Sequence, residues 1–288
     1  MERRTSSYLQ LIKPGITLSN TMTAIAGFLL ARSNHGFIWL TFLGLIGGVA
    51  LVIASACVVN NIIDRDLDAR MKRTKKREIA SGNIDVTAAA VYATVLGFLG
   101  FVLLAAFTNW ITLLLGLISF FWYIVVYGYA KRTTPLSTIV GGVCGALPPV
   151  AGYVAVTGSI DTDALLLFAI MMVWQLPHFY AISIFRREDY ESANLPVWSV
   201  KYGVESTKAQ ILFWVTVYAL LVPLLTLTHA TGMTYIVVMG GLAIYWMWNG
   251  VKYYHLDSSE RWAKRMFGIS LLVLLTFSAA IATGHYLP

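Results

Sequence analysis

The sequence predicts an all-α membrane protein with nine transmembrane helices, and three observations support this fold class. Of the 288 residues, 58% are apolar and 12% are charged, whereas a soluble domain carries roughly 45–50% apolar and about 25% charged residues. Nine continuous apolar runs are each long enough to cross a bilayer, which takes about 20 residues in a helix. The polar segments between these runs are alternately rich and poor in Lys and Arg. A water-soluble globule is therefore not expected.

The nine runs leave no room for a separate soluble domain, so we expect a single intramembrane domain over residues 1–288. Barrel strands would be shorter and would alternate in polarity, whereas these runs are continuous. Lys13-Pro14-Gly15 is typical of a helix that begins at the membrane interface. The predicted spans are residues 15–31, 38–59, 86–107, 110–130, 137–156, 164–185, 210–228, 233–251 and 266–284.

The positions of the cations predict the orientation of these spans. Lys and Arg are retained in cytoplasmic loops. Twenty of the 21 Lys and Arg residues fall in the N-terminal tail and in every second loop, and Arg32 is the exception. We therefore expect a cytoplasmic N-terminus and a C-terminus on the opposite side. The net charge of +7 follows from this topology and gives no reason to expect a nucleic-acid partner.

The N-terminal region and the cysteines bear on the compartment. The first apolar run contains Thr17, Ser19 and Asn20, so neither a cleaved signal peptide nor an amphipathic organelle presequence is expected. Cys57 and Cys144 both lie inside apolar runs, which argues against a disulfide framework or a Cys-rich metal site. We predict a multi-pass protein of a bacterial cell inner membrane.

The second predicted span ends in a ladder of polar side chains. Asn60, Asp64 and Asp68 are four residues apart, so in a helix they lie on one face about 6 Å apart along the axis. Two carboxylates and an amide oxygen suit Mg²⁺, which prefers oxygen ligands and is commonly shared with substrate phosphates. Arg73 and Arg77 follow, and cations suit phosphate oxygens. The alternative is a solvated loop in which Asp and Arg pair with each other and the cations only set the topology.

The sixth predicted span leads into a second polar segment. Gln175 and His178 share a helix face, and polar residues inside a span usually face a cavity or the bundle interior. A hydrogen-bonded packing role would equally explain His178. Asp189 follows, and it is either a second carboxylate site opposite the first or a surface acid balanced by Arg186.

Tyr127 stands out among the aromatic residues of the fourth span. It precedes Lys131 by four residues, so both side chains lie on one helix face at the inner boundary. The alternative is one more tyrosine of the interfacial aromatic belt.

The fifth span carries small residues and two prolines. Gly141, Gly142 and Gly145 predict close packing against neighbouring helices. Pro148 and Pro149 predict a break or kink in this span.

Taken together, these motifs resemble the UbiA-type superfamily of intramembrane prenyltransferases, and within it the heme O synthase branch. The Asn/Asp ladder marks the superfamily, whereas the segments around His178 and Asp189 point to the heme-modifying branch. The resemblance runs over nearly the whole chain. The matching segments are Lys13-Pro14-Gly15, Asn60 to Asp68 with Met71, Arg73, Thr74 and Arg77, Tyr127 with Lys131, Gly145 to Pro149, Trp174 to His178, Asp189 to Pro196, and Arg261 to Gly268.

The resemblance implies a bundle around a central cavity, with two polar motifs at its cytoplasmic mouth that hold a diphosphate through Mg²⁺. It implies transfer of a farnesyl group from farnesyl diphosphate to a vinyl group of heme B, with heme O and diphosphate as products. The expected Mg²⁺ ligands are Asn60, Asp64, Asp68 and Asp189, and Tyr127 and Lys131 are further expected catalytic residues. The expected diphosphate contacts are Arg73, Arg77, Lys131 and Arg186, and the expected heme contact is His178.

Other functions fit parts of the same pattern. A UbiA-type enzyme could instead prenylate a quinone precursor or another aromatic acceptor. A multi-span transporter would also need polar residues inside the membrane, but its site would lie near the midplane, whereas these motifs cluster at one face. A structural subunit of an oxidase complex would leave the carboxylate ladder unexplained. A downstream heme-modifying enzyme is an expected partner of the heme-modifying branch.

Overall fold

The computed structural model describes residues 2–32 and 38–284, and helices are the only regular secondary structure within these ranges. A π-helical segment, Trp122–Val126, separates α6 from α7. The α-helices are α1 Glu2–Leu11, α2 Pro14–Ala31, α3 Trp39–Ile63, α4 Arg65–Arg70, α5 Val86–Phe107, α6 Trp110–Phe121, α7 Tyr127–Thr133, α8 Ser137–Thr157, α9 Thr162–Phe185, α10 Arg187–Ser192, α11 Trp198–Lys201, α12 Gly203–Leu221, α13 Leu224–Leu227, α14 Met233–Lys252 and α15 Ser259–Thr283.

The all-α membrane fold is confirmed. Within the described residues, eight helical stretches are long and apolar enough to cross a membrane, and they correspond to eight of the nine predicted spans. The remaining one, residues 233–251, is the 20-residue helix α14, but it is not among the eight. The count of nine and the orientation of the termini therefore stay predictions.

Two helices begin about two turns earlier than predicted. α12 begins at Gly203 and α15 at Ser259, not at residues 210 and 266. The prediction placed the cations near these helix starts in loops, but these residues are already helical. The Lys208 ammonium is buried, and it donates to Glu205 Oε1 at 3.2 Å and to the Tyr254 carbonyl at 2.9 Å. A satisfied cation of this kind is tolerated inside a helix.

Glycine-mediated packing holds the centre of the bundle. The most extensive helix pairs are α3 with α5 and α2 with α8. A Cβ atom on Gly27 of α2 would lie 1.9 Å from the Pro149 carbonyl oxygen, and one on Gly152 of α8 would lie 1.9 Å from the Ala24 carbonyl oxygen. Only glycine permits this backbone approach, which is how helices associate closely in lipid. This packing fixes α2 against α8.

Close packing at the other glycines of α8 is confirmed. A Cβ atom on Gly141 would lie 2.8 Å from the Tyr127 ring, one on Gly142 2.8 Å from Met172 Sδ, and one on Gly145 2.0 Å from Gln175 Oε1. α8 therefore packs directly against α7 and α9.

α8 continues through Pro148 and Pro149 to Thr157, so the span is not broken there, and the kink stays a prediction. A proline at position 148 removes the hydrogen bond to the carbonyl of residue 144. The Ser119 hydroxyl of α6 donates to that Cys144 carbonyl at 3.3 Å. A neighbouring helix thus satisfies the freed acceptor, as transmembrane helices commonly require.

Gly27→Ala should destabilise the protein, because the new methyl group meets the Pro149 carbonyl at a distance that no real Cβ contact shows. Overpacking of this kind costs about 1–3 kcal/mol. The matched control is Gly241→Ala on α14, where a Cβ atom has nothing within 4 Å. Thermal unfolding in detergent should show a lower Tm for Gly27→Ala only, and equal Tm values would contradict the α2–α8 packing.

Candidate active site

The predicted ladder lies where α3 passes into α4. Asp64 separates the two helices, yet the Asp64 N–H donates to the Asn60 carbonyl at 2.9 Å and the Asp68 N–H donates to the Asp64 carbonyl at 2.7 Å. The four-residue spacing is therefore kept through the junction. All three side chains are buried, so these positions are not a solvated loop. Pairing of Asp with Arg, the other part of that alternative, does occur, between Asp68 and Arg77 and between Asp64 and Arg132.

A chain of hydrogen bonds joins the ladder to two other spans. Lys13 Nζ donates to Asn60 Oδ1 at 2.8 Å, and Asn60 Nδ2 donates to Asp64 Oδ2 at 2.8 Å. Lys131 Nζ donates to the same Asp64 oxygen at 2.5 Å. The start of α2, the end of α3 and the end of α7 thus meet at one carboxylate.

Lys13 is a site residue that the sequence reasoning missed. It lies outside the span, at the N-terminus of α2, in the left-handed conformation with φ of 49°. Burial lowers the pKa of its ammonium group to about 8. Lys13, the first residue of the Lys13-Pro14-Gly15 motif, therefore contributes a buried cation in addition to the helix start at Pro14.

Asp68 is paired with Arg77. Arg77 Nη1 lies 2.8 Å from each of the two Asp68 carboxylate oxygens. The Thr74 hydroxyl donates to the Asp68 carbonyl at 3.0 Å and closes the loop between them. This places Arg77, predicted from its charge to contact a diphosphate, directly beside a predicted metal ligand.

Arg132 is a second residue that was missed, although it directly follows the predicted Lys131. It donates to both oxygens of Asp66 at 2.9 Å and to the Ile63 carbonyl at 2.8 Å. The hydrogen bond from Arg132 lowers the pKa of the Asp66 carboxyl to about 2. Arg132 thereby bonds to the end of α3 and to α4 at once, which holds the ladder at their junction in place.

The second predicted motif lines a cavity of about 780 Å³. Arg73 and Arg186 lie in its wall together with Asp189, and Phe185 and Glu260 complete the side toward α15. Asp189 is 8% exposed. Within residues 2–32 and 38–284, its carboxylate has neither a hydrogen bond nor an ion pair. Since its carboxylate oxygens are not among the fully buried polar atoms that lack a partner, they are accessible, and a cation that enters the cavity can reach them.

Tyr190 connects the two motifs and was not predicted as a site residue. Burial raises the pKa of its hydroxyl, and the charges of Arg73, Asp189 and Arg186 act on it. Its ring packs on a cluster that joins Leu67 and Met71 of the first motif to residues 193–197 of the second. The Asp189-Tyr190 pair in the sequence was the available signal.

Tyr127 lies beside Lys131, as the four-residue spacing predicts. The Lys131 ammonium is 5.4 Å from the centre of the Tyr127 ring, and this ring stacks on Tyr123 at 5.7 Å. The π-helical segment immediately before Tyr127 adds one residue to the turn, a distortion that often occurs at functional sites.

His178 lies in an aromatic environment on α9. Its ring stacks on Trp174 at 5.1 Å and contacts the Phe267 ring at 4.8 Å. Phe267 in turn contacts Phe185 at 5.6 Å, and Phe185 lines the cavity. Aromatic rings therefore link His178 to the second motif, and among the described residues it makes no direct contact with the ion pairs of the first.

The oxygen ligands of the two motifs do not form a ready-made metal cage. In the described part of the chain, no group of three His, Cys, Asp or Glu side chains is arranged to hold an ion. Instead, Arg77 forms an ion pair with Asp68 and Lys131 with Asp64. The donor set nevertheless fits Mg²⁺, because Mg²⁺ usually takes only one or two carboxylates and completes its shell with water and substrate phosphate.

The chain matches a known protein family. The UbiA prenyltransferase family matches residues 20–274. The chain is 40% identical to the protoheme IX farnesyltransferases of Citrobacter koseri and Salmonella typhimurium, over 98% of this chain and 95% of each relative. A protoheme IX farnesyltransferase 1 of Shewanella frigidimarina is also 40% identical, over 97% of this chain and 92% of its own.

Solved structures share the fold. A digeranylgeranylglyceryl phosphate synthase superposes with a TM-score of 0.80 at 21% identity and covers 99% of both chains. A UbiA homolog from Aeropyrum pernix gives a TM-score of 0.76 at 22% identity, over 92% of this chain and 96% of that one. A UbiA homolog from Archaeoglobus fulgidus, bound to GPP and Mg²⁺, gives 0.66 at 18% identity, over 96% and 99%. The family match and the 40% identical relatives together show that the chain is an enzyme of the UbiA prenyltransferase family.

Proposed function

We propose that this protein transfers a farnesyl group from farnesyl diphosphate to a vinyl group of heme B and produces heme O and diphosphate. The names of the 40% identical relatives support this choice of substrates. The observation that carries the proposal is the site itself. Buried carboxylates of the first motif are paired with cations. The carboxylate of Asp189, which has no hydrogen bond or ion pair in the described part of the chain, lines a cavity together with Arg73 and Arg186.

The oxygen ligands proposed for Mg²⁺ are Asn60, Asp64, Asp68 and Asp189. When bound, Mg²⁺ neutralises charge on the departing diphosphate and lowers the barrier to ionisation. Within the described residues the Asp189 carboxylate has no partner, so it is available for this role without any rearrangement. Asp64 and Asp68 become available once their cations turn toward the diphosphate.

The cations proposed to bind the diphosphate are Arg73, Arg77, Lys131 and Arg186. Arg77 and Lys131 lie against the carboxylates, so they keep the motif neutral before substrate enters. A bound diphosphate gives both cations a new anionic partner. Positive charge held at the leaving group then stabilises the transition state of C–O cleavage.

The farnesyl chain is proposed to lie between the apolar spans. The allylic cation that forms when the C–O bond breaks must be kept from stray water. Tyr127, placed at the polar boundary beside Lys131, can offer its ring face to that cation. Its packing against Gly141 and Tyr123 holds the ring in this position.

The proposed reaction balances with water as the third reactant. The bond between the farnesyl carbon and diphosphate breaks, and the terminal vinyl carbon of heme B attacks the farnesyl carbon. The positive charge moves to the adjacent side-chain carbon of the porphyrin. Water adds there, and loss of a proton leaves the hydroxyethylfarnesyl group.

His178 is the proposed heme contact. It lies at the inner end of α9 between Trp174 and Phe267, and flat aromatic surfaces suit a porphyrin. The line of rings from His178 through Phe267 to Phe185 reaches the cavity that holds Asp189. Heme at His178 and diphosphate at Asp189 would therefore be neighbours.

We further propose that the site faces the cytoplasm of a bacterial inner membrane. The multi-pass membrane character is evident from the spans, and the concentration of cations at the end of the bundle that carries the site supports this orientation. The product, a modified heme, would pass to a heme-modifying enzyme, which is the proposed partner.

Membranes that contain the protein should convert heme B and farnesyl diphosphate to a porphyrin heavier by a farnesyl group and one hydroxyl group, as measured by mass spectrometry. Diphosphate should be released in equal amount. If heme B stays unmodified while an aromatic quinone precursor is prenylated, the acceptor in this proposal is wrong. Solute uptake into vesicles without diphosphate release would instead indicate a transporter.

Asp68→Asn should lower the rate of farnesyl transfer by about 100-fold or more, because metal stabilisation of the leaving group is worth several kcal/mol and each 1.36 kcal/mol is tenfold. The amide can still accept from Arg77, so folding should be kept. Asp85→Asn is the matched control, since Asp85 is exposed, lies outside the proposed ligand set and caps α5, a role that Asn can also fill. Equal rates in the two variants would contradict the metal assignment.

His178→Ala should weaken binding of heme B by at least about tenfold, as expected for loss of a metal ligand or its orienting partner. Absorbance titration of the purified protein measures the affinity. The control is His255→Ala, which removes an exposed histidine of the loop before α15. An unchanged affinity in His178→Ala would return His178 to a packing role.

A further inference from the structure

The Nδ1 atom of His178 and the hydroxyl of Ser270 form a contact between α9 and α15. The two atoms are 2.7 Å apart. The Ser270 hydroxyl also donates to the Phe267 carbonyl at 2.6 Å. Ser270 is fully buried, so water cannot replace either bond.

The proton count at this contact selects one form of the imidazole. A serine hydroxyl has a single proton and two acceptor lone pairs. A carbonyl can only accept, so both bonds form at once only when that proton goes to the Phe267 carbonyl. The hydroxyl then accepts from the His178 ring, which requires the proton on Nδ1. In the opposite tautomer Nδ1 is an acceptor. It would then face a hydroxyl oxygen with no proton to donate, or the hydroxyl would donate to Nδ1 and lose its bond to the Phe267 carbonyl. Only the Nδ1–H tautomer satisfies both hydrogen bonds.

The other ring nitrogen is then a free base. With its proton on Nδ1, a neutral His178 carries a lone pair on Nε2. Within the described residues Nε2 has no hydrogen-bond partner, and it is not among the buried polar atoms that lack one. It is therefore accessible, and no protein group competes for its lone pair.

The ring cannot easily turn away from this orientation. Trp174 stacks on one face of His178 at an interplanar angle of 27°, and Phe267 lies against it at 33°. The Trp174 indole N–H donates to the Ser270 carbonyl at 2.9 Å. The residue that sets the tautomer thus also anchors the ring that stacks on the histidine.

We propose that Ser270 is a positioning residue that holds His178 as the Nδ1–H tautomer, so that Nε2 can bind the iron of the heme substrate. Metal-binding histidines commonly donate their second N–H to a fixed acceptor, which sets both tautomer and orientation. This inference rests on the proposed heme acceptor. It adds that heme is recognised through its iron and that α15, which carries none of the predicted site residues, contributes to substrate binding.

Two measurements test the proposal, and the first needs no heme. Nitrogen NMR of protein labelled with ¹⁵N at the imidazole rings, with the His178 signals assigned by their loss in His178→Ala, reports which nitrogen carries the proton. The wild-type protein should show it on Nδ1, and Ser270→Ala should shift the population toward Nε2–H. A wild-type protein with the proton on Nε2 would overturn the proposal regardless of any result with heme.

The second measurement is titration with heme B, read from the absorption spectrum of the bound heme. Ser270→Ala should weaken binding about tenfold and lose the spectrum of histidine-ligated iron, and Ser270→Thr, which keeps the hydroxyl, should restore both. Ser278→Ala is the matched control, because Ser278 is a buried serine of the same helix whose hydroxyl has no hydrogen-bond partner. It should bind heme as the wild type does.

The possible failures are distinguishable. If His178→Ala weakens heme binding but Ser270→Ala leaves the affinity and spectrum unchanged, the positioning role is wrong and the proposed function stands. If His178→Ala itself leaves heme binding unchanged, the heme contact within the proposed function fails, and the NMR result still reports separately whether Ser270 sets the tautomer.

Discussion

The ion pair between Lys131 and Asp64 is the interaction on which the rest of the site depends. Both side chains are about nine-tenths buried, and removing one partner of such a pair typically costs about 3–5 kcal/mol because the other charge stays buried. The pair joins the end of the fourth span to the end of the second, and through Asn60 it reaches Lys13 at the start of the first. Three spans that are distant in sequence are thus drawn together at one carboxylate, and the polar mouth of the bundle has a defined shape without any bound ligand.

Packing deeper in the bundle supplies the rigidity that this arrangement needs. The contacts of Gly27 and Gly152 bring the backbones of α2 and α8 together, and α8 packs in turn on α9. The first motif is carried by α3 and the second follows α9, so their relative position is set by these intervening helices. A shift between α2 and α8 would be transmitted to Lys13 at the head of α2 and would change the partners of Asn60.

Local patterns were predictable from the sequence, and pairings across the chain were not. The four-residue spacing of Asn60, Asp64 and Asp68, and of Tyr127 and Lys131, is a property of one helix and was read correctly. Lys13 and Asn60 are 47 residues apart and Arg132 and Asp66 are 66 apart, and nothing in the local pattern shows that they meet. The continuity of α8 through Pro148 depends on a hydroxyl from α6, which is likewise invisible locally. The hydrogen bond of His178 to Ser270, 92 residues away, is likewise invisible in the local pattern.

Charge balance explains why the first motif can lie at the end of an apolar bundle. A buried charge is tolerated only when it is paired, and the first motif is paired internally because Arg77 and Lys131 neutralise Asp68 and Asp64. A diphosphate alone would compete with the carboxylates for these cations, and a divalent cation alone would compete with the cations for the carboxylates. If either the diphosphate or the divalent cation binds alone, some buried charge is left uncompensated. For the proposed function, this means that metal and diphosphate bind jointly, because together they exchange partners with the existing pairs and leave less buried charge uncompensated than either one does alone.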